Sequence, residues 1–332
     1  MRINSRVLIA SGLLSVIAIY GAVRIFAGSD DFAAGAQGVE TSITVGNGEV
    51  GSSIAQSLFK AGVIKSAKTF TALAISDKRS QSIAPGIHTV HTHIPNKQAL
   101  VELLDQKRLV GVIVVKEGST VSDVVAVLRA NRNIDNSHSA TAGIKGILAP
   151  SLEGELFPAH YSFAPGTPSS TAIKAMLAKF ASSTLDSGVL RGYGKYSAYQ
   201  VLTIASMVQV EGDPDVYAKV ARVIYNRLSI GMPLQLNSTV QFAANLRGQI
   251  HLSTKSTQIN SPYNTYRVVG LPPTPINNPS LAAIAATQKP ADGDWLYFIT
   301  VKPRDTRFTK SFDVFQGWVT EFNKNRAAGA FK

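Results

Sequence analysis

The chain has 332 residues, of which 33 are basic and 21 acidic, for a formal net charge of +12. That length can supply more than one compact unit. With no cysteine, disulfides, cysteine-ligated metals and thiol nucleophiles are excluded, and no recognisable nucleic-acid motif accompanies the basic balance.

Arg2 and Arg6 precede an uncharged, mostly apolar run from Val7 to Val23, which Arg24-Ile-Phe-Ala27 follows. The run is at the short limit for a spanning helix, and Arg24 can snorkel and extend it through Ala27. Residues 7–27 are read as one uncleaved transmembrane anchor, because the run exceeds a usual signal-peptide core; the small residues after it keep a cleaved signal as the rival reading. The basic residues place 1–6 in the cytoplasm and the rest of the chain outside. Residues 28–40 are small and polar, a flexible tether. In that setting the positive charge suits anionic polymers or lipid head groups better than nucleic acid.

A folded unit begins near Thr41. Ser42 to Val45 reads as a strand, Gly46 to Gly51 as a turn, and Ile54, Leu58 and Ala61 as a helix that Gly62 ends. Lys65 to Ala74 is a second helix. Gly86 to Ile94 alternates as a strand, which would put His91 and His93 on one face; with no third ligand nearby, an exposed strand is preferred to a metal site. Lys97 to Leu104 is a helix, Val110 to Val115 a continuous apolar strand, and Val124, Val127 and Leu128 mark a further helix. This last strand, turn and helix echo the Val45 to Ile54 region as a degenerate repeat. Ser170 to Phe180 reads as a packing helix.

Residues 201–241 concentrate the chemistry. Val201, Ile204 and Val208 lay an apolar stripe along a helix opened by Ser197, and Glu211 continues that stripe up to Gly212. Asp213-Pro214 should open the next helix, with Asp as N-cap. Glu211 is thus expected to be buried at a helix C-terminus, where desolvation and the helix dipole both favour its protonated form, as a general acid requires. Gly231 and Pro233 stop the second helix, and Gln235, Asn237 and Thr239 alternate as one face of a strand whose donors and acceptors suit a sugar. Ser261 to Tyr266 supplies aromatic and amide groups in a loop. The prolines of Gly270 to Pro279 demand a stiff, extended segment, expected to wall a cleft. Leu281 to Ala286 begins a helix, Trp295 to Val301 is a buried strand with Trp295 and Tyr297 in the core, and Phe312 to Phe322 is a closing helix.

ASMVQVEG (205–212), YNRL (225–228), GMPLQLNSTV (231–240), SPYNTY (261–266) and GLPPTPINNPSLAAIAA (270–286) together resemble the signature of the endolytic murein transglycosylases of the YceG/MltG-like family. Leu152 to Pro158 with Tyr161 resembles the family's LEG-x-LFP-x-x-Y segment, although Ala159-His160 stands where Asp-Thr is expected. The resemblance implies an α+β fold: a membrane-anchored ectodomain with a small LysM-like α/β region over 41–140 that would hold glycan, and a mixed α+β catalytic domain over 141–332.

It also implies an endolytic peptidoglycan lytic transglycosylase at the bacterial cytoplasmic membrane that cuts the MurNAc-GlcNAc β-1,4 bond of nascent strands, leaves 1,6-anhydro ends and acts in termination of glycan elongation. Glu211 would be the general acid and base. Glu153, Asn226, Gln235, Asn237, Thr239, Tyr263, Asn264 and Tyr266 would be substrate-binding, with no metal or cofactor and with peptidoglycan synthases as partners. Asn237 stands where the family often has Asp. Two other readings stay open: a muramidase that uses Asp213, Asp215 or Glu153 as second carboxylate, and a non-catalytic glycan-binding scaffold.

Overall fold

The apolar run from Val110 to Val115 reads as one strand but forms two. Gly111, at φ +64°, breaks it, and a Cβ at this position would lie 1.9 Å from the Phe163 carbonyl oxygen. The chain divides at this point into two compact units, Met1–Val110 and Gly111–Lys332, so residues 111–140 belong with the second unit and not with the region expected over 41–140. The computed structural model describes residues 30–46, 48–163, 165–246 and 256–331. The anchor expected at 7–27 lies outside the described residues, among which no helix is long and apolar enough to cross a membrane.

In the first unit β1 (Glu40–Val45), β2 (Gly86–His91) and β3 (Leu109–Val110) form an antiparallel sheet in that order. The alternation of β1 turns Ile43 and Val45 inward, where they meet Ile54 and Leu58 of α1 (Gly51–Lys60), Phe70 of α2 (Ala67–Ser76) and Leu100 and Leu103 of α3 (Asn96–Leu104). β2 stops at His91, earlier than its alternation suggests, because His93 takes a left-handed φ of +57° and packs edge-on against Phe32. His91 turns to Glu102, with Nδ1 3.1 Å from the carboxylate. The two histidines therefore do not share a strand face.

The second unit opens on β4 (Val112–Val115) and α4 (Val121–Ala130), which Thr120 and Asp123 start with a capping box. β4 pairs with β6 (Ala159–Ser162), and β5 (Ile134–Asp135) pairs with β7 (Thr167–Pro168). α5 (Ser169–Phe180) buries Ile173, Met176 and Phe180 as its spacing requires.

At the centre lies α6 (Ala198–Glu211), capped by Ser197 with Gln200. Its sequence shows one stripe, yet every residue from Val201 to Val208 is buried, because α6 packs against both α7 (Tyr217–Ser229) and α9 (Leu281–Gln288). The polar members of that run are satisfied within the helix: Thr203 Oγ1 donates to the Tyr199 carbonyl and Ser206 Oγ to that of Thr203. α7 starts at Tyr217, later than Asp213-Pro214 suggests, since Asp213 to Val216 closes as a separate turn. The hairpin of β8 (Tyr297–Lys302) and β9 (Asp305–Thr309) packs against α10 (Phe312–Ala327).

Residues 270–279 form the stiff segment expected, but buried amides pin it to the core. Asn277 Nδ2 donates to the Ser206 carbonyl at 2.7 Å; Asn278 accepts from the Leu156 N–H at 2.9 Å and donates to the Ser119 carbonyl at 2.7 Å. Gly154 lets this strap approach, because a Cβ there would meet Pro275 at 2.6 Å. Asn278→Ala strands the buried Leu156 N–H and deletes a second bond. It should cost about 2–3 kcal/mol, a fall of about 5–10 °C in Tm for a unit of this size; thermal unfolding checks this, and an unchanged Tm would show that the strap is held by packing alone.

Candidate active site

Glu211 ends α6 half-buried, with its carboxyl facing the first turn of α8 (Asn237–Ala244). The residue before α8, Leu236, has no side chain able to cap it. Glu211 fills that role from a distance: its Oε1 accepts from Ser238 Oγ at 2.5 Å and from the Ser238 N–H at 3.3 Å. Burial pushes the Glu211 carboxyl above its ordinary value of 4.5, while the Ser238 bonds and the charge of Arg227 pull it part of the way back. The result is an acid that holds its proton to higher pH than a free glutamate and that can be ionised with support close at hand.

Arg227 supplies that support from inside the fold. Only 6% exposed, it donates from Nε to the Leu296 carbonyl at 2.6 Å and from Nη1 to that of Leu234, and its guanidinium lies 5.5 Å from the Tyr297 ring centre. It thus ties α7 to the approach of α8 and to β8 while it lends positive potential to the Glu211 side.

These groups open onto a cavity of about 610 Å³. Its polar lining includes Glu211, Arg227, Gln235, Asn237, Ser238 and Tyr266, and Tyr297, Phe312 and Phe315 contribute aromatic surface. Tyr266 donates its hydroxyl to Asn237 Oδ1 at 2.7 Å, which fixes the amide. Burial, then the Glu211 charge, raises the Tyr266 phenol and keeps it a donor. Glu211 is the only carboxylate among the described residues that line the cavity.

Of the residues singled out in the sequence, Glu211, Gln235, Asn237 and Tyr266 meet here, though not as a strand face. Gln235 adopts a left-handed φ of +49° and Asn237 begins a helix, so the alternation of Gln235, Asn237 and Thr239 is broken on both sides. Thr239 is fully buried and donates to the Leu236 carbonyl. Asn264, also fully buried, holds the carbonyls of Thr257 and Ile259. Asn226 holds those of Gly293 and Trp295, and Tyr263 pairs with Thr274 at 2.9 Å. Glu153 accepts from the Val121 N–H at the start of α4. None of these five lines the cavity, nor does any residue of the 270–279 strap.

Tyr297, expected in the core, is half-buried and faces the cavity. Neither Ser238 nor Arg227 stands out in the sequence. The period-two pattern hid the helix that presents Ser238, and nothing local distinguishes Arg227 from a solvated cation. In the 152–158 segment the deeper carboxylate is Glu155, fully buried under the Ile147 and Leu148 amides; burial raises it, and those amides partly offset the rise.

The profile of the YceG-like family matches residues 43–321. The chain belongs to this family. Two curated proteins named endolytic murein transglycosylase are similar to it. That of Bacillus subtilis is 38% identical over 164 residues, 48% of this chain and 45% of the relative. That of Streptococcus pneumoniae is 39% identical over 158 residues, 45% of this chain and 28% of the relative. The chain thus matches less than half the length of each. A crystal structure of a YceG-like protein from Listeria monocytogenes superposes with a TM-score of 0.52 at 24% identity over 84% of this chain and 98% of that one, which establishes a shared fold. Within the YceG-like fold, the helix end, the Ser238 cap and the Arg227 clamp converge on Glu211.

Proposed function

We propose that this protein is an endolytic lytic transglycosylase of peptidoglycan glycan strands, with Glu211 as both general acid and general base. The observation that carries the reading is a half-buried carboxyl, raised above its ordinary value, in a cavity where no other described lining residue is a carboxylate. Protonated Glu211 gives its proton to the oxygen that leaves the MurNAc anomeric carbon. The resulting carboxylate, supported by Ser238 and Arg227, then takes the proton of the MurNAc 6-hydroxyl as that oxygen closes on the same carbon. The product is a 1,6-anhydro end. Intramolecular attack needs no positioned water and no enzymic nucleophile, so one carboxyl serves both steps. A hydrolase would need a second carboxylate across the bond; Asp213 and Asp215 are exposed and Glu153 is committed to α4.

Gln235, Asn237 and Tyr266 are the proposed substrate contacts, and the five remaining sequence candidates serve to hold the surrounding fold. The reading extends to a membrane anchor at 7–27, an extracytoplasmic site, a glycan-holding LysM-like region before it, and action at the end of glycan elongation beside peptidoglycan synthases. The test is to incubate the protein with uncrosslinked glycan strands and identify the new ends by mass spectrometry. Anhydro-MurNAc ends are expected; reducing ends would assign a hydrolase, and no cleavage by a folded, glycan-binding chain would assign a scaffold.

Ser238→Ala probes the charge balance. Alanine keeps the backbone N–H bond to Glu211 but removes the stronger Oγ bond, which favours carboxylate, so Glu211 should rise further and the alkaline limb of kcat/KM should move to higher pH. The base step loses support at the same time, and kcat should fall about 10- to 100-fold for one hydrogen bond to a charged group. A pH profile that superposes on wild type would show that the Ser238 hydroxyl does not set the charge state of Glu211.

A further inference from the structure

Opposite the polar residues around Glu211 the cavity is walled by aromatic side chains together with Val210, Leu236 and Ile299. Phe312, Phe315 and Phe322 recur along α10 at spacings of three and seven, which places them on one helical face. That face lines the same cavity as Glu211, and no residue of α10 is fully buried. Phe315 stacks on Tyr297 with ring centres 5.3 Å apart and planes at 26°, and Phe312 lies 5.5 Å from Tyr297. Phe312 nevertheless remains 54% exposed. A large apolar side chain held in place by two aromatic neighbours, yet open to a polar cavity, is a surface built for an amphipathic partner.

We propose that Phe312, set by Tyr297 and Phe315, is a stacking platform for a pyranose ring of the glycan held at the Glu211 cavity. The inference rests on the glycan reading above and moves the aromatic grip from the Tyr263 loop to α10. A pyranose with equatorial substituents offers a face of C–H groups to an aromatic ring while its rim offers hydroxyls and amides. The cavity provides both: aromatic surface from α10 and β8, and donors and acceptors from Gln235, Asn237 and Thr300. An acyl chain would use the aromatic wall but leave that polar set without partners.

The experiment compares Phe312→Trp and Phe312→Leu, both in the full chain carrying Glu211→Gln so that ligand is not turned over, by calorimetric titration with defined MurNAc-GlcNAc oligomers. Exposure of Phe312 means that neither variant should unfold the domain, which thermal unfolding verifies. Trp should bind as well as Phe or better, and Leu about 3- to 10-fold more weakly, the contribution of aromatic geometry beyond apolar area. Equal binding by Leu and Phe would overturn the platform and leave a general apolar contact. Cleavage by the Glu211 parent with no Phe312 effect sinks the platform alone; a Phe312 effect without cleavage sinks the lytic reading alone. Absence of glycan binding in every chain overturns both.

Discussion

Glu211→Gln should abolish release of anhydro ends, with a loss of at least about 10³-fold, because glutamine can neither give nor accept the proton and general acid–base catalysis is worth about 10²–10⁴. The same substitution should make the protein more stable at neutral pH. The folded fold holds the Glu211 carboxyl above its ordinary value of 4.5, so the folded state binds its proton more tightly than the unfolded state. Stability is then fully present below the ordinary value and is lost as pH rises through the raised, folded one. Glutamine removes that loss. The Tm difference between variant and wild type should therefore be smallest in acid and grow with pH, towards about 1 kcal/mol, or about 2–4 °C. Retained activity would move the acid elsewhere. A lower Tm at neutral pH would show that the ionised carboxylate matters mainly as the cap of α8.

Arg227→Met should have the largest effect on stability. It leaves the Leu296 and Leu234 carbonyls without their donor and removes the guanidinium from Tyr297. The cost should be about 3–5 kcal/mol, read by denaturant unfolding. It also takes a cation away from Glu211, whose carboxyl should rise further, shifting the alkaline limb of kcat/KM upward. Arg227→Lys separates the two effects. Lysine keeps the charge but lacks the planar fork that reaches two carbonyls at once, so it should retain the wild-type pH limb while it loses most of the stability. A Met variant as stable as wild type would rule out the clamp, and a Lys variant whose limb shifts like that of Met would rule out the electrostatic role.

The segments that local chemistry controls were legible in the chain. Ser197 with Gln200 announces α6, the proline-rich run at 270–279 announces a non-helical strap, and the order of motifs announces the family. Legibility failed where distant partners decide. Gln235, Asn237 and Thr239 alternate like a strand, yet the Thr265 carbonyl and hydroxyl take the N–H groups of Gln235 and Leu236, and the chain turns into α8 immediately afterwards. The polar residues in the 261–266 loop looked like sugar contacts because amides and aromatics serve both purposes. Burial assigned Asn264 to backbone carbonyls and left Tyr266 to the cavity.

The sequence by itself determined that Glu211 closes an apolar helix before a glycine, and so that burial would hold its proton. It also determined the family and the absence of any thiol chemistry. Only the tertiary structure decided what surrounds that carboxyl. Ser238, Arg227, Tyr266 and Phe312 come from α8, α7, the following loop and α10, and they meet because α6 is buried all round from Val201 to Val208 and the strap is pinned to it beside α9. Local propensity carries no information about such contacts, since they are set by which faces pack when apolar surface leaves water.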